Sequence, residues 1–227
     1  MTNADVPLVE LRRYALHPGT RDEMIGIFER ELMEGQEAAG MRLLGQFRDL
    51  DDPDAFVWLR GFRDMASRYT ALWDFYTGPV WKAHQEVVNA TMISSDDVLL
   101  LRPYGPDGHL PAMTAARPPR EAITPPGGLV VATTYPVADP DAAAARFTAE
   151  LGPDAVEGRF VTDPTPNTYK WLPVRADASV FVTFARFADL PAYEAQRAGA
   201  PAWEPGDLTG PVHTARLTPT ARSPLPA

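Results

Sequence analysis

No cysteine occurs among the 227 residues. That absence excludes disulfides, thiolate nucleophiles, iron–sulfur clusters and cysteine-ligated zinc, and it leaves the redox compartment unspecified. Histidine is scarce as well. His17, His84, His109 and His213 are the four, and their spacing forms no metal-binding motif. Positive charge is in deficit: 21 Lys and Arg stand against 30 Asp and Glu, a formal net charge of −9. Nucleic acids and anionic membrane surfaces need positive fields that this balance does not supply. Long apolar runs are missing too. The longest aliphatic stretch, VLLL at 98–101, is far too short to span a bilayer, and the N-terminus has no basic segment followed by an apolar run. We therefore expect a cytoplasmic protein without nucleic-acid binding or membrane insertion. The glycine patterns that cradle nucleotide phosphates are absent, and Ser94 and Ser95 lie in no nucleophile elbow. Neither a cofactor nor a metal is expected.

What is present suffices for a packed interior: 45% of the residues are hydrophobic, 10% aromatic and 22% charged. The length admits one large core or two smaller ones. A repeat helps to choose. FVWLRGFRDM at 56–65 returns as FVTFARFADL at 181–190, with Phe56/Phe181, Val57/Val182, Phe62/Phe187 and Asp64/Asp189 identical. LVELRRY at 8–14 similarly matches LVVATTY at 129–135, at Leu8/Leu129, Val9/Val130 and Tyr14/Tyr135. The offset between copies is 121 residues in one pair and 125 in the other, and this near-constancy points to a duplication.

Periodicity fills in the units. After the strand at 8–14, Thr20 and Glu23 have capping-box spacing, and Ile25, Phe28 and Leu32 form the apolar stripe of a helix ending near Gly40. Strand-like runs at 43–49 and 55–62 flank a turn, LDDPD. A helix follows from about Asp64, then a second after Pro79, then a strand at 97–103. The proline-rich segment 105–127 reads as a surface linker between a first domain, 1–104, and a second, 128–218. In the second domain Asp139 and Pro140 open a helix at about 140–151, and strands are expected near 156–161, 179–187 and 212–218. The tail 219–227 is expected to be disordered. Each unit thus reads strand, helix, strand, strand, helix, strand, an α+β arrangement of the split βαβ type. Two such sheets in tandem would cover each other as a barrel-like pseudo-dimer.

The stretches VELRRYALHPG and FVWLRGFRDMASRYTALWDFYTGPVWKAHQEVVNATMISSDDVLLLRPY resemble the NIPSNAP family, strongly over 8–104 and more weakly over 128–218. The resemblance implies tandem ferredoxin-like βαββαβ repeats forming a dimeric α/β-barrel-like unit on one chain. It implies little chemistry, because the wider fold group holds haem-dependent enzymes, cofactor-free monooxygenases and polyketide cyclases, and animal NIPSNAP proteins are associated with mitochondria and trafficking. Where many family members carry Trp, this chain has Arg60, and its second copy has Ala185. A more polar cavity in the first half is implied.

Strand alternation puts Glu10, Arg12 and Tyr14 on one face and Val9 and Leu11 on the other, and Trp58 and Arg60 share a face with Phe56 and Phe62. If Val9 and Leu11 pack beneath the helices, the charged face enters the space between the sheets. There Arg12 and Arg60 would hold an aromatic acid, enol or phenolate against Trp58. The corresponding second-half face, Val131, Thr133 and Tyr135 with Thr183 and Ala185, carries no charge, so the pocket would belong mainly to the first half. The competing reading is a satisfied polar network in which Glu10 pairs with Arg12 or Arg60. His84, three residues after Trp81, is the candidate general base, with Arg12 and Arg60 stabilising the anion. Tyr76 and Trp81, with Trp73, would form a pocket lid, although core packing is the favoured reading of these aromatics. The leading expectation is a small-molecule-binding protein, with enzymatic action on a polar aromatic or polyketide-like substrate left open. A noncatalytic interaction scaffold is the first alternative and a haem-binding protein, with His84 as ligand, the second. A homodimer is left open.

Overall fold

The structure is a computed structural model describing residues 6–111, 116–199 and 202–225. Eight strands close a barrel in the order β1-β3-β2-β8-β5-β7-β6-β4. The first half contributes β1 (Leu8–Leu16), β2 (Arg42–Asp49), β3 (Ala55–Phe62) and β4 (Met92–Pro103), and the second β5 (Leu129–Pro136), β6 (Gly158–Thr162), β7 (Val180–Phe187) and β8 (His213–Pro219). Every pairing is antiparallel. Within each half the first and third strands are central, with the second strand at one edge and the fourth at the other. Each edge is satisfied by the other half: β2 pairs with β8 from Phe47↔Pro219 to Asp49↔Leu217, and β4 pairs with β6 from Leu101↔Thr162 to Pro103↔Phe160. Closure thereby removes the free edges that either sheet alone would expose.

Helices cover the outside. A continuous rod runs from α1 (Arg21–Ile27) through a π-helical stretch (Phe28–Leu32) to α2 (Met33–Ala38), followed by α3 (Met65–Thr77) and α4 (Pro79–Thr91) in the first half and α5 (Pro140–Leu151) and α6 (Leu190–Gly199) in the second. None among the described residues is long and apolar enough to cross a membrane. Asp139 caps α5 as expected, accepting from the Ala142 amide. The expected box at Thr20 and Glu23 does not form. The Thr20 hydroxyl instead donates to the carbonyls of His17 and Thr91, tying the start of α1 to the end of α4. The reciprocal box occurs at α3, between Asp64 and Ser67. β4 begins at Met92, five residues before the expected start, because β1 extends to Leu16 and pairs with Met92 there.

The sense of the strand faces is the reverse of the expectation. Val9, Val57, Leu59, Leu99 and Leu101 point into the barrel and pack with Val130, Val182 and Leu217 of the second half. Tyr14, Phe56, Trp58 and Phe62 point outward and pack under the helices with Phe28, Leu72 and Phe75. The second half is likewise reversed, since Tyr135 and Phe181 pack outward against Phe147 of α5. One end of the barrel is closed by convergence of Val6, Leu44, Leu110, Phe160 and Leu225. At that end Gly61 has no room for a side chain, because a Cβ would stand 1.9 Å from Cγ1 of Val6.

Two segments read as loose from sequence are docked. The linker inserts Leu110 into the barrel and pairs Arg117 with Glu37, while residues 112–115 lie outside the described part. The tail is ordered as far as Leu225, with residues 226 and 227 outside the described part. It continues from β8 alongside β2: the Thr220 amide donates to the Gln46 carbonyl, and the Gln46 amide donates to the Ser223 hydroxyl. Arg222, 3% exposed, donates to the Glu29 carbonyl and the Glu34 carboxylate. The tail was expected to be disordered as a chain terminus, but its polar groups meet specific partners and Leu225 ends in the core. Leu225→Ala should therefore cost about 2–5 kcal/mol, the range for emptying a buried leucine site. Urea unfolding checks this, and a change within error would mean that the tail does not plug the barrel.

Candidate functional site

The strongest concentration of chemistry lies between the first-half sheet and its helices. It follows from register. Glu10 on β1 is paired with Arg60 on β3, and Arg12 is paired with Trp58, so the two-residue alternation sets Glu10, Arg12, Trp58 and Arg60 in one block on the outer face. α3 crosses above it. Its inner stripe, Arg68, Ala71, Leu72 and Phe75, is apolar except for Arg68, which points down into the block.

Glu10 is the hub. Arg12 Nη1 and Arg60 Nε each donate to its Oε2 at 2.7 Å, and Arg68 Nε donates to its Oε1 at 2.6 Å. All four side chains are 0% exposed. Burial by itself would push the Glu10 carboxyl up, but Arg60, Arg12 and Arg68 together outweigh it and hold the group well below the ordinary carboxylate range. Burial would lower Arg12 too, yet Tyr14 and Glu10 more than compensate and its guanidinium is held above the usual range. Arg68 goes the other way: burial lowers it, and Glu10 offsets only part of that against repulsion from Arg60 and Arg12. The cluster thus has an excess of positive charge.

Arg12 completes its bonding with the Tyr14 hydroxyl at 3.2 Å and the Ser95 carbonyl at 3.5 Å. Arg60 Nη1 reaches the Gln36 side-chain carbonyl at 3.3 Å and the Tyr76 hydroxyl at 3.5 Å. Arg68 Nη1 donates to Asn167 Oδ1 at 2.9 Å. Arg60 Nη2, Arg68 Nη2 and Trp58 Nε1 are buried without a hydrogen-bond partner. Aromatic faces supply part of the missing compensation. The Arg12 and Arg60 guanidinium carbons lie 5.5 and 5.0 Å from the Trp58 ring centre, and Arg60 is 6.0 Å from that of Tyr76.

Asn167 arrives from the second half. It belongs to the strap of residues 163–179 that joins β6 to β7 and crosses onto the first half. Tyr169 of the strap packs edge-on against Tyr69 at 5.8 Å and tilted against Tyr76 at 6.3 Å, and Trp171 lies 5.1 Å from Trp73. Trp81 meets Tyr76 at 4.9 Å. A ladder of rings therefore runs from Trp171, 65% exposed, inward to Tyr76 beside Arg60.

Of the residues singled out from sequence, Glu10, Arg12, Arg60, Tyr14, Trp58 and Tyr76 do converge, and Trp81 flanks Tyr76. They converge on the helix side of the sheet, not between the sheets, and the competing reading of a Glu10 ion-pair network describes their present contacts. His84 does not join them. It is on the outer part of α4, a third exposed, with its Nε2 3.8 Å from Glu31 Oε2. The expected role of His84 as the base of an Arg12 and Arg60 site is therefore corrected: helix α4 presents Trp81 toward Tyr76 and turns His84 toward the α1–α2 rod. Sequence reasoning missed Arg68, Gln36, Asn167 and Tyr169. For Arg68 a signal existed, a lone charge four residues before Leu72 and seven before Phe75 on an apolar stripe; nothing in the sequence linked the strap to this site. The space between the sheets holds neither Arg12 nor Arg60. It is filled at one end, and at the other it opens as a cavity of about 330 Å³ lined by both halves. Among the described residues no group of acidic or histidine side chains is arranged to hold a metal ion.

Residues 9–105, the half of the barrel that carries the arginine cluster, match the family model NIPSNAP. No curated protein matches the chain. Solved structures match it over nearly its whole length. An anthrone oxidase-like protein is 15% identical with a TM-score of 0.57, covering 100% of this chain and 98% of its own. A protein provisionally named a monooxygenase, from Fusobacterium nucleatum, is 14% identical with a TM-score of 0.57, covering 97% and 96%. Another so named, from Lactobacillus acidophilus, is 16% identical with a TM-score of 0.54, covering 96% and 98%. At these identities the likeness is one of fold.

Glu10 should be the residue whose loss the cluster tolerates least. Glu10→Gln leaves three buried guanidiniums without a counter-charge and should cost about 3–5 kcal/mol. Because the folded carboxyl titrates below its unfolded value, its stabilisation is present above the unfolded value and fades only in strong acid. The deficit of Glu10→Gln should thus stay constant from roughly pH 5 to 8 in chemical denaturation. A deficit that varied over that window would assign the effect to another group.

Proposed function

We propose that the chain is a small-molecule-binding protein that holds an anionic aromatic ligand, an acid, enol or phenolate, against the arginines of its first half. The observation that carries this reading is the buried imbalance of charge, three guanidiniums around one carboxylate with Arg60 Nη2 and Arg68 Nη2 unpartnered. A buried donor left unpaired costs about 1–3 kcal/mol, and more when charged. Arginine has no means of relief by deprotonation. An anion bridging the two Nη2 groups would supply both acceptors and bring the local charge closer to neutrality. The ring ladder through Tyr169 and Tyr76 offers flat apolar surface to the body of such a ligand. Since the three arginines are fully buried, entry requires the strap to lift, which breaks one side-chain bond to the cluster, that of Asn167.

Chemically, guanidiniums gathered around a phenol or enol lower its pKa and retain the anion, in which carbon is electron-rich. A fold shared with a protein named anthrone oxidase-like is in keeping with a ligand of that kind, at the level of analogy only. His84 has no part in this reading, either as base or as haem ligand.

Arg68→Met separates the ligand reading from a scaffold reading. Removing one of three like charges around a single carboxylate should leave stability unchanged or raise it, as apolar replacement of buried ionic groups often does. Isothermal titration with 2-naphthoate and the neutral 2-naphthamide should show the anion binding the wild type at least about tenfold more tightly, and Arg68→Met losing that preference. Equal binding of the two probes, or 2-naphthoate binding untouched by Arg68→Met, would leave the cluster as a structural network and favour the scaffold.

A further inference from the structure

We propose that the open end of the barrel is a second, independent ligand site for an amphipathic carboxylate, its apolar tail inside the barrel and its head at the rim. The cavity of about 330 Å³ there falls within the size of small-molecule pockets, about 300–1,000 Å³. Its walls are Leu11, Val57, Leu99, Ala132, Val180 and Ala215. These positions alternate with outward-facing residues on six strands, so they form one ring of the barrel interior.

Two alanines of the second half make that ring hollow. Ala132 on β5 and Ala215 on β8 are direct cross-strand partners, so two minimal side chains stand side by side where the layer below has Val130 and Leu217 paired. The void reaches the opposite wall: Leu11, in the middle of an inward-facing row, is only partly buried although Val9 one step deeper is 1% exposed. The walls present no polar side chain. A ligand polar all round would lose its hydration there without replacement, whereas an alkyl or aryl tail would gain from burial.

The next ring outward is polar. Arg13 and Asp97 are register partners, as are Thr134 and His213, and the strap adds Arg175. Arg13 is neutralised from outside by Asp49 and Asp52. Arg175 is the available group. It meets Asp97 through a single contact at 3.3 Å, with the two side chains 47% and 48% exposed, and such an exposed pair is worth about 0–1 kcal/mol. A carboxylate can displace it and gain a bidentate guanidinium contact. Arg175 is thus the cation of the cavity lining that an incoming anion can engage.

Decanoate below its micelle concentration is the probe, with decylamine as its cationic counterpart, measured by isothermal titration. Decanoate should bind the wild type, and decylamine about tenfold more weakly or worse. Arg175→Glu, on an exposed strap, should weaken decanoate by about tenfold and improve decylamine. Ala132→Leu with Ala215→Leu should abolish decanoate binding by filling the void. Arg68→Met should leave it unchanged, which separates this site from the arginine cluster. No decanoate binding, equal binding of the amine, or indifference to Arg175→Glu would overturn the proposal. Loss of decanoate binding in Arg68→Met but not in Arg175→Glu would move the carboxylate to the cluster and also overturn it.

Discussion

One carboxylate shared by three buried guanidiniums sets the terms for the first half of this protein. Glu10 is bonded to residues from β1, β3 and α3, so the placement of a helix on the sheet is fixed by charge at a point where packing alone would permit sliding. Apolar contacts are non-directional; a guanidinium on a carboxylate is not. The register of β1 on β3 is constrained in the same way, since a slip of one residue would send Arg60 into the barrel and Gly61 into the cluster. The surrounding aromatic rings, above all Trp58 and Tyr76, are placed where they offer their faces to the surplus charge.

Alternation in the sequence separated these residues from Val9 and Leu11, and it brought together nearly all of the cluster's strand residues. It did not say which face turns inward. In a half-exposed sheet the polar face identifies itself by facing water, but in a closed barrel clad with helices both faces are buried and the rule loses its reference. Geometry decides instead. Eight strands enclose a space just wide enough for side chains to meet across it, so the inside takes compact groups such as Val57, Leu59 and Val182. Between sheet and helices, long side chains can lie flat and find partners on a second element. Arg12 and Arg60 need that lateral room, and Arg68 can approach only from that side.

The element order and the boundaries of most strands and helices were legible because each rests on local signals: period, cap and turn. The strap and the tail were not, since their order depends on groups far away in sequence. Thr220 and Ser223 complete hydrogen bonds of Gln46, and Asn167 completes one of Arg68. Low apolar content argues against a segment forming its own core; it does not argue against docking when the segment satisfies polar groups that the core leaves open. His84 illustrates the converse error. Proximity in sequence to Trp81 suggested a shared site, but three residues along α4 carry the side chain from the cluster's edge to the α1–α2 rod.

The two halves follow the same path and hold different chemistry. At the positions where the first half builds its charged block, the second half has Val131, Thr133, Thr183 and Ala185, none able to anchor a buried ion. The same half is where the barrel interior thins, at Ala132 and Ala215. The consequence is a division of labour within one topology: charge is concentrated outside the sheet on one side, and space is concentrated inside the barrel by the other. The strap touches both places, through Asn167 at the cluster and Arg175 at the mouth. Eight residues separate those two contacts, so one short segment borders both regions even though they share no side chain.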